Sequence, residues 1–167
     1  MRVVTWNVNS IKQRMPRFVP WLAQRRPDVV CLQETKLTAE AFAEIVGPDL
    51  TAAGYEYASH GQGQWNGVAI ASRVGLDDVV RGLPDEPGFP DPEARAFTAT
   101  CGGVRITSVY VPNGRTPTDP HYAYKLEWLA RLRDLVAAGP DNQIVCGDLN
   151  IAPADADLFD PAAYLGQ

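Results

Sequence analysis

The sequence has few residues of the kinds that bind soft metals or form covalent cross-links. Only three cysteines and two histidines occur among its 167 residues. Cys31, Cys101 and Cys146 are far apart, and each lies in or at the end of an apolar run. An odd number of scattered cysteines suits neither a disulfide framework nor the paired spacing of a zinc site. We therefore expect buried thiols in a protein of a reducing compartment.

A long hydrophobic run is also absent. No stretch of about eighteen uncharged apolar residues is present, which is the length that a membrane-spanning helix requires. Met1 is followed directly by an alternating, strand-like run, and not by the basic and then apolar segments of a secretory signal. We expect a cytoplasmic protein with no membrane partner.

The sequence lacks an overall positive charge, because 15 Lys and Arg stand against 20 Asp and Glu. The net charge of −5 argues mildly against a nucleic-acid partner, since such domains are usually basic. The charge is unevenly spread, however. Residues 1–36 carry seven basic and two acidic residues, a local charge of +5, and the remaining residues carry eight and eighteen, a local charge of −10. The opening segment is suited to face a polyanion, although any single arginine there also suits a solvated helix face.

What the sequence does contain is an alternation of strand and helix patterns in a chain of ordinary globular composition. Strands are predicted over residues 2–6, 28–32, 55–58, 68–72, 97–101, 104–109 and 143–146. Helices are predicted in a short segment ending near residue 25 and over residues 38–46 and 119–138. Gly102-Gly103 predicts a two-residue hairpin, and Asp119-Pro120 predicts a helix start. The pattern indicates an α/β or α+β arrangement of sheets packed by helices.

Several local predictions concern helix ends and loops. Prolines at positions 16 and 20 suit only a first turn or a kink, so we expect the first helix to be short. Gly47-Pro48 is predicted to stop the second helix. The stretch from Gly82 to Pro92, rich in proline and glycine, is predicted to be an exposed excursion. The last helix has apolar residues at helical spacing, which predict its buried stripe: Tyr122, Leu126, Leu129, Leu132 and Val136.

Four predicted strands each end in a polar or acidic group. These groups are Asn7, Gln33-Glu34, Tyr110 and Gly147-Asp148-Leu149-Asn150. A carboxylate directly after a buried strand is costly to desolvate unless water, a partner or a cation meets it, so several that converge suggest a metal site. Oxygen ligands without nearby His or Cys favour a hard ion, and Mg²⁺ is usually held by only one or two carboxylates. Glu34 and Asp148 fit that need.

Each of these residues also has a purely structural interpretation. Glu34 alone suits an ion pair with Lys36 or Lys12. Asp148 alone suits the cap of the turn after its strand. The other interpretations are a loop amide partner for Asn7 and Asn150, and a sheet-face aromatic with a solvated hydroxyl for Tyr110. The order of the residues, each after a strand, favours the metal site over these alternatives taken together.

Five motifs follow one another along the chain. They are Thr5-Trp6-Asn7-Val8-Asn9-Ser10-Ile11, Leu32-Gln33-Glu34-Thr35-Lys36, Trp65-Asn66-Gly67-Val68-Ala69-Ile70, Val109-Tyr110-Val111-Pro112-Asn113-Gly114 and Gly147-Asp148-Leu149-Asn150-Ile151-Ala152-Pro153. In this order they resemble the signatures of exonuclease III-type abasic-site endonucleases, within the endonuclease/exonuclease/phosphatase superfamily. The Gln-Glu-Thr-Lys and Tyr-x-Pro-Asn-Gly motifs point to the DNA-repair branch, whereas Gly-Asp-x-Asn is shared more widely.

The resemblance implies a fold, an activity and a cofactor. The fold is a four-layer α/β sandwich of two mixed sheets flanked by helices, with residues 1–167 in a single catalytic domain. The activity is that of an exodeoxyribonuclease III or abasic-site endonuclease of base excision repair, a Mg²⁺-dependent hydrolase for which Mn²⁺ is a substitute ion. Its partner is double-stranded DNA with abasic sites or blocked 3′ ends, cut 5′ to the abasic site and trimmed at 3′ ends.

The resemblance also implies roles for individual residues. Glu34 would be the principal metal ligand with Asn7 beside it, and Asp148 and Asn150 would complete the metal and phosphate environment. Asp148 would orient or deprotonate the attacking water, Asn150 would stabilise the pentacovalent phosphate, and Tyr110 would bond a phosphate oxygen.

A basic segment and a missing segment complete the sequence predictions. Asn9, Lys12 and Arg14, in the predicted loop after the first strand, are candidate contacts to the DNA backbone. Family members continue beyond this length with an Ile-Asp-Leu strand and a Ser-Asp-His motif, and neither is present; His60 and His121 lie in other contexts and are expected to be structural or exposed. We therefore expect a sandwich that lacks its carboxyl-terminal part and that either self-associates through an uncovered sheet face or needs the missing segment. The alternatives are a catalytically incomplete metal- and DNA-binding fragment, or another phosphatase or phosphodiesterase of the superfamily.

Overall fold

The computed structural model describes residues 1–164, and its first sheet has four strands. They are β1 (Val3–Asn7), β2 (Val29–Gln33), β3 (Glu56–His60) and β4 (Val68–Ser72), in the order β1-β2-β4-β3. β1 and β2 are parallel, and the other pairs are antiparallel. Every residue of β2 and β4 is buried, as expected for central strands covered on both faces.

The second sheet also has four strands and a similar mixture of directions. They are β5 (Asp77–Arg81), β6 (Ala96–Cys101), β7 (Val104–Tyr110) and β8 (Gln143–Asp148), in the order β5-β6-β7-β8. β6 and β7 form the antiparallel hairpin predicted from Gly102-Gly103, with Cys101 paired to Val104. β7 and β8 are parallel, so their carboxyl ends lie at the same edge.

Helices cover the outer faces of the two sheets. They are α1 (Ile11–Arg25), α2 (Ala39–Ile45), α3 (Gly47–Ala52) and α4 (Pro120–Ala138). Phe18 and Leu22 of α1 pack on Val30 and Leu32 of β2. The alternate residues of the same strand, Val29 and Cys31, pack with the second sheet in the core between the sheets. The side chains of β2 thus alternate between two cores, and α4 forms a third core on the second sheet. The predicted four-layer α/β arrangement is confirmed.

Tertiary packing overrides some of the sequence predictions for the first half of the chain. α1 is not short, because it runs for 15 residues and contains both Pro16 and Pro20. Its buried residues, among them Phe18 and Leu22, offset the hydrogen bonds that the prolines cannot make. Gly47-Pro48 does end α2 but does not break the helical path, because Pro48 sits in the first turn of α3. Helix α3 itself was not predicted from the sequence.

The segment around residues 77–92 also differs from its prediction. Residues 77–81 form the edge strand β5, whose burial pattern is mostly exposed and gave no apolar alternation to recognise. The following stretch is not simply an exposed excursion. Leu83 is buried against the α4 core, and Glu86 accepts hydrogen bonds from Trp128 of α4 at 2.9 Å and from the Leu83 amide at 3.1 Å. The stretch is fastened to the outer surface of the second sheet.

The buried face of α4 is rotated relative to the predicted stripe. Tyr122 and Leu126 are 38% and 51% exposed, so their assignment to the core is wrong. The buried residues of α4 are His121, Tyr124, Lys125, Trp128 and Leu132. Trp128 is fully buried, and the polar residues on the buried face of the helix form hydrogen bonds to Asn113, Glu93 and Asn150.

Two of the four edge strands, β1 and β8, lie side by side at the junction of the two sheets. Among residues 1–164, β1 pairs with β2 alone and β8 with β7 alone, and these two strand edges contact each other. Every residue of β8 is only half-buried, including Cys146, which we expected to be buried. Cys31 and Cys101 are buried as expected, and all three thiols are free. No helix in the described part of the chain is both long and apolar enough to cross a membrane.

Candidate active site

The carboxyl ends of β1, β2, β7 and β8 meet where the two sheets face each other. Asn7 pairs in register with Gln33, and Tyr110 with Asp148. The buried Gln33 side chain crosses between the sheets and donates a hydrogen bond to Ser108 Oγ at 3.0 Å. The two parallel strand pairs therefore bring the polar residues at four strand ends to one place. The hydrogen bond from Gln33 links the two sheets there.

Asn7 joins the two acidic residues of this site. Its Nδ2 donates to Glu34 Oε1 at 2.9 Å and to Asp148 Oδ2 at 2.8 Å. The two carboxylates, which are 114 residues apart in the sequence, therefore lie near enough to share a single donor. Two carboxylates in contact with one nitrogen can also reach one cation with its water shell.

The structural alternatives considered for these residues are present alongside this arrangement. Glu34 Oε2 forms an ion pair with Lys36 Nζ at 3.1 Å. Asp148 Oδ1 accepts the amide of Asn150 at 2.9 Å, and Asn7 Oδ1 accepts the amide of Asn9 at 3.0 Å. Each carboxylate uses one oxygen for its local contact and the other for Asn7. The local contacts orient the side chains that converge.

The electrostatics of the site favour an ionised Glu34 and a protonated Tyr110. Burial alone would raise the pKa of Glu34, but polar contacts with Asn7, Lys36 and Tyr110 lower this pKa below its usual value. Burial, with the nearby charge of Glu34, raises the pKa of Tyr110 to about 12. At neutral pH the Tyr110 hydroxyl is therefore a donor beside a negative charge.

Asn150 is held by its neighbours in a left-handed backbone conformation, with φ of 50°. Its Nδ2 donates to the carbonyl of Val111 at 2.8 Å, and its own carbonyl accepts Lys125 Nζ at 2.6 Å. Burial lowers the pKa of Lys125, while the charge of Asp148 opposes that change. A buried lysine therefore lies on the Asp148 side of the site.

The three candidate DNA contacts do not form one group. Asn9 is exposed and its Oδ1 accepts Lys36 Nζ at 2.5 Å, so it is linked to Glu34 through Lys36. Lys12 and Arg14 lie in α1, and their placement in a loop is wrong because the helix already begins at Ile11. Among residues 1–164, no hydrogen bond or ion pair connects either of them to the carboxylates.

Residues at this end of the sheets adopt backbone conformations that L-amino acids rarely take. Six of them, none a glycine, have φ between 41° and 79°: Asn9, Ser10, Glu34, Lys36, Asn66 and Asn150. Such conformations cost free energy and persist where surrounding contacts hold them. All six lie in the loops that carry the polar side chains, and they were not predicted from the sequence.

Two cavities open onto the carboxylates. A cleft of about 1410 Å³ runs along the open β1–β8 edge and is lined by Asn7, Gln33, Asp148 and Asn150, with Leu126 of α4 on its wall. A smaller cavity of about 300 Å³ contains Glu34 and Tyr110 together with residues that were not predicted to belong to the site: Lys36, Trp65, Asn66, Glu93, Arg95, Asn113, Arg115 and His121. Four of these residues lie inside the five motifs, namely Lys36, Trp65, Asn66 and Asn113, and the other four belong to none.

The donor set of the site suits a hard cation. Within residues 1–164, no group of three or more His, Cys, Asp and Glu is arranged to hold a metal ion. The residues therefore do not form the protein cage of a structural zinc site. Two carboxylates beside an amide do fit Mg²⁺, which keeps several waters and takes phosphate oxygens to complete its octahedron.

Comparisons with known proteins agree with the fold and the motifs. The chain matches the model of the endonuclease/exonuclease/phosphatase family over residues 4–167. It is 30% identical over 166 residues to the DNA repair nuclease APEX1 of Danio rerio, covering 96% of this chain and 52% of that protein. A 3′ phosphatase, NExo, from Neisseria, solved with a product DNA hairpin, is 40% identical with a TM-score of 0.86, and an AP endonuclease from Archaeoglobus fulgidus is 36% identical with a TM-score of 0.87.

The two solved chains are covered to 63% of their length, and 98% and 99% of this chain aligns with them. The chain spans about half to two thirds of the length of the curated relatives that it matches. The family match over residues 4–167, together with the TM-scores of 0.86 and 0.87, supports one assignment. This chain belongs to the endonuclease/exonuclease/phosphatase family.

Proposed function

We propose that this chain carries the metal- and phosphate-binding half of a Mg²⁺-dependent DNA phosphodiesterase. In its complete form the protein hydrolyses the phosphodiester 5′ to abasic sites and trims 3′ ends in base excision repair. The observation that carries the proposal is the shared hydrogen-bond donor: Asn7 Nδ2 contacts both Glu34 and Asp148, and so brings two carboxylates to one point beside an open cleft.

Each polar residue has a task that its contacts support. Glu34 and Asp148 supply carboxylate oxygens to Mg²⁺ or Mn²⁺, which when bound neutralises phosphate charge and lowers the pKa of a coordinated water. Asp148 is also the acceptor for a proton of the attacking water. The Tyr110 hydroxyl stays protonated; its one hydrogen faces Glu34 in the structure and turns to a phosphate oxygen when DNA binds. Asn150 has a second amide hydrogen for the same purpose because Val111 accepts only one.

The relatives support DNA as the substrate. The solved chain from Neisseria holds a product DNA hairpin, and the protein from Danio rerio is named a DNA repair nuclease. The local charge of +5 over residues 1–36 suits a phosphate backbone, and Asn9, Lys12 and Arg14 lie in that segment. Abasic duplexes and duplexes with blocked 3′ ends are the proposed partners.

The open β1–β8 edge supports a second proposal about this chain by itself. The cleft along this edge carries exposed apolar side chains, including Leu126, Leu149 and Ile151. We propose that the 167-residue chain self-associates through this edge, and that it binds metal and DNA with little turnover until the edge is covered. On this proposal, the complete enzyme and the fragment both bind metal and DNA, and they differ only in the rate of turnover.

The test compares cleavage with binding. The chain is incubated with Mg²⁺ and a labelled duplex containing one abasic site, alongside an intact duplex, a 3′-phosphate duplex, an inositol phosphate and a sphingomyelin vesicle. Incision 5′ to the abasic site supports the nuclease, whereas hydrolysis of only the last two substrates would identify another activity of the superfamily. Mn²⁺ binding followed by electron paramagnetic resonance is measured separately, because a fragment retains it without incision.

Matched variants tie each result to the site. Glu34→Gln and Asp148→Asn keep the side-chain shape, and each should weaken Mn²⁺ binding at least about tenfold and abolish incision. Glu44→Gln, on the exposed face of α2, is the control and should change neither. Equal Mn²⁺ binding in the wild type and in Glu34→Gln would contradict the proposed metal site.

A further inference from the structure

Glu93 is a half-buried carboxylate with three side-chain donors and no part in the proposed reaction. Its Oε1 accepts Asn66 Nδ2 at 2.9 Å, and its Oε2 accepts Arg95 Nε at 2.7 Å and the Tyr124 hydroxyl at 3.0 Å. Burial would raise the pKa of Glu93, but Arg95 and the other donors lower it below its usual value. A carboxylate satisfied in this way stays ionised and holds three separate segments together.

Arg95, which is bonded to Glu93, also contacts Tyr110. Its guanidinium carbon lies 4.8 Å from the centroid of the Tyr110 ring, and Nη1 donates to the Tyr110 carbonyl at 3.3 Å. The Tyr110 amide in turn donates to the Arg95 carbonyl at 2.7 Å. The Arg95 side chain is only 8% exposed, so few other positions are open to it. Tyr110 is therefore held through its backbone and through one face of its ring.

A second route connects Glu93 to the Glu34 loop. The amides of Thr35 and Lys36 donate to the carbonyls of Gly67 and Asn66 at 3.1 and 3.0 Å. The Asn66 side chain is itself bonded to Glu93. The residues on both sides of the Tyr110–Glu34 contact are thus fastened to the same carboxylate.

We propose that Arg95, oriented by Glu93, is a positioning residue that holds the Tyr110 ring against Glu34. The inference deepens the proposed function, on which it rests, because it assigns a task to residues that touch neither the metal ligands' oxygens nor substrate. A guanidinium is suited to this task, because its planar face stacks on the ring while its fork bonds the carboxylate and the carbonyl.

The variant that tests this is Arg95→Lys. Lysine keeps the positive charge beside Glu93 but has neither a planar face for the ring nor a fork that bonds two groups at once. Glu93→Gln is the second variant, because it keeps the shape of the side chain while weakening its hold on Arg95. Arg73→Lys is the matched control: Arg73 makes two hydrogen bonds to Asp28, at 3.2 and 3.0 Å, on a different part of the first sheet.

The first measurement is the flip rate of the Tyr110 ring, from NMR line shapes of the chain labelled with ring-¹³C tyrosine and assigned with Tyr110→Phe. We expect flips about tenfold faster in Arg95→Lys, faster also in Glu93→Gln, and unchanged in Arg73→Lys. A role confined to overall stability would not speed one ring selectively. Wild-type flip rates at Tyr110 in both site variants would overturn the inference.

The second measurement is Mn²⁺ affinity in a double-mutant cycle. Arg95→Lys should weaken Mn²⁺ binding about fivefold in the wild-type background and less than about twofold in Tyr110→Phe, because its effect passes through the tyrosine hydroxyl. Equal losses in both backgrounds would overturn the inference. If the wild-type chain binds no Mn²⁺, the proposed function fails, and the ring-flip rates alone then decide whether Arg95 positions Tyr110.

Discussion

At Gly147 the backbone of β8 passes too close to β7 for any side chain. A Cβ at this position would lie 1.9 Å from the Val109 carbonyl oxygen and 2.8 Å from its carbon, both backbone atoms that cannot turn away. Gly147→Ala should therefore lower the free energy of unfolding by roughly 3 kcal/mol or more, because β8 must move away from β7. The measurement is urea unfolding followed by circular dichroism.

The control for this prediction is Gly103→Ala in the β6–β7 hairpin. Gly147 has a φ of 150° and Gly103 has a φ of 78°, but a Cβ at Gly103 would have no neighbouring atom within 4 Å. Its substitution should cost only about 1 kcal/mol, which isolates the conformational penalty from the steric one. Equal losses for the two variants would show that the close approach at Gly147 is not what requires glycine.

Glu93 and Glu86 should respond to acid in opposite directions. The pKa of Glu93 is lowered in the folded chain, so its contribution to stability is present above the unfolded value of about 4.3 and is lost as the pH falls through the folded value. Burial raises the pKa of Glu86, so its ionised form opposes folding, and that penalty disappears as the pH falls.

The measurement is the urea midpoint between pH 6.5 and 3.5 for the wild type, Glu93→Gln and Glu86→Gln. The stability difference between wild type and Glu93→Gln should shrink toward acid, whereas wild type should gain relative to Glu86→Gln. Parallel curves for all three proteins would mean that neither carboxyl titrates with a pKa shifted by folding.

Among the elements, α4 and the stretch 82–92 depend on each other through Trp128. Trp128 is fully buried, and its indole nitrogen donates to Glu86 Oε1 at 2.9 Å. Trp128→Phe removes this donor and leaves a void, so we expect a loss of about 2–3 kcal/mol in the free energy of unfolding. Glu127→Ala, at an exposed site of the same helix outside the cleft, should cost less than about 0.5 kcal/mol in the same urea experiment. A small loss for Trp128→Phe would mean that the stretch is not fastened by this contact.

Elements with local chemical signals were predictable from the sequence, and the others were not. The Gly102-Gly103 hairpin and the helix after Asp119 are confirmed because turn and cap residues act over a few positions. The rotation of α4 was not predictable, because His121, Tyr124 and Lys125 are buried through hydrogen bonds to Asn113, Glu93 and Asn150 that only the folded chain creates. β5 was missed because an exposed edge strand has no apolar period.

For the molecule as a whole, the open β1–β8 edge predicts concentration-dependent association. Leu126 and Ile151 are 51% and 53% exposed beside the cleft. Replacing both with lysine should shift the chain toward monomer in sedimentation velocity, because charge at this edge opposes apolar contact. Val74→Lys is the control, since Val74 is 38% exposed beside the β6–β7 hairpin, at the other end of the second sheet. A wild-type chain that stays monomeric at all concentrations would contradict the proposal.

Some residues of the candidate site were predicted from the sequence, and others were not. Polar residues directly after strands identified Asn7, Glu34 and Asp148, because parallel strands bring such ends together. The roles of these residues stay predictions until binding is measured. Glu93 and Arg95 were not identified, because they precede a strand and belong to no motif. Their contacts are with Tyr110, Asn66 and Tyr124, which are distant in the sequence.

The left-handed loop residues have a consequence for attempts to raise the thermal stability of this protein by laboratory evolution. Non-glycine residues with such backbone angles cost of order 1 kcal/mol or more each, so a screen that rewards heat resistance alone would favour glycine at Glu34, Lys36 or Asn150. Every variant selected in this way would lose a polar side chain at the point where the strand ends meet. A useful screen would therefore have to reward ligand retention and thermal survival together.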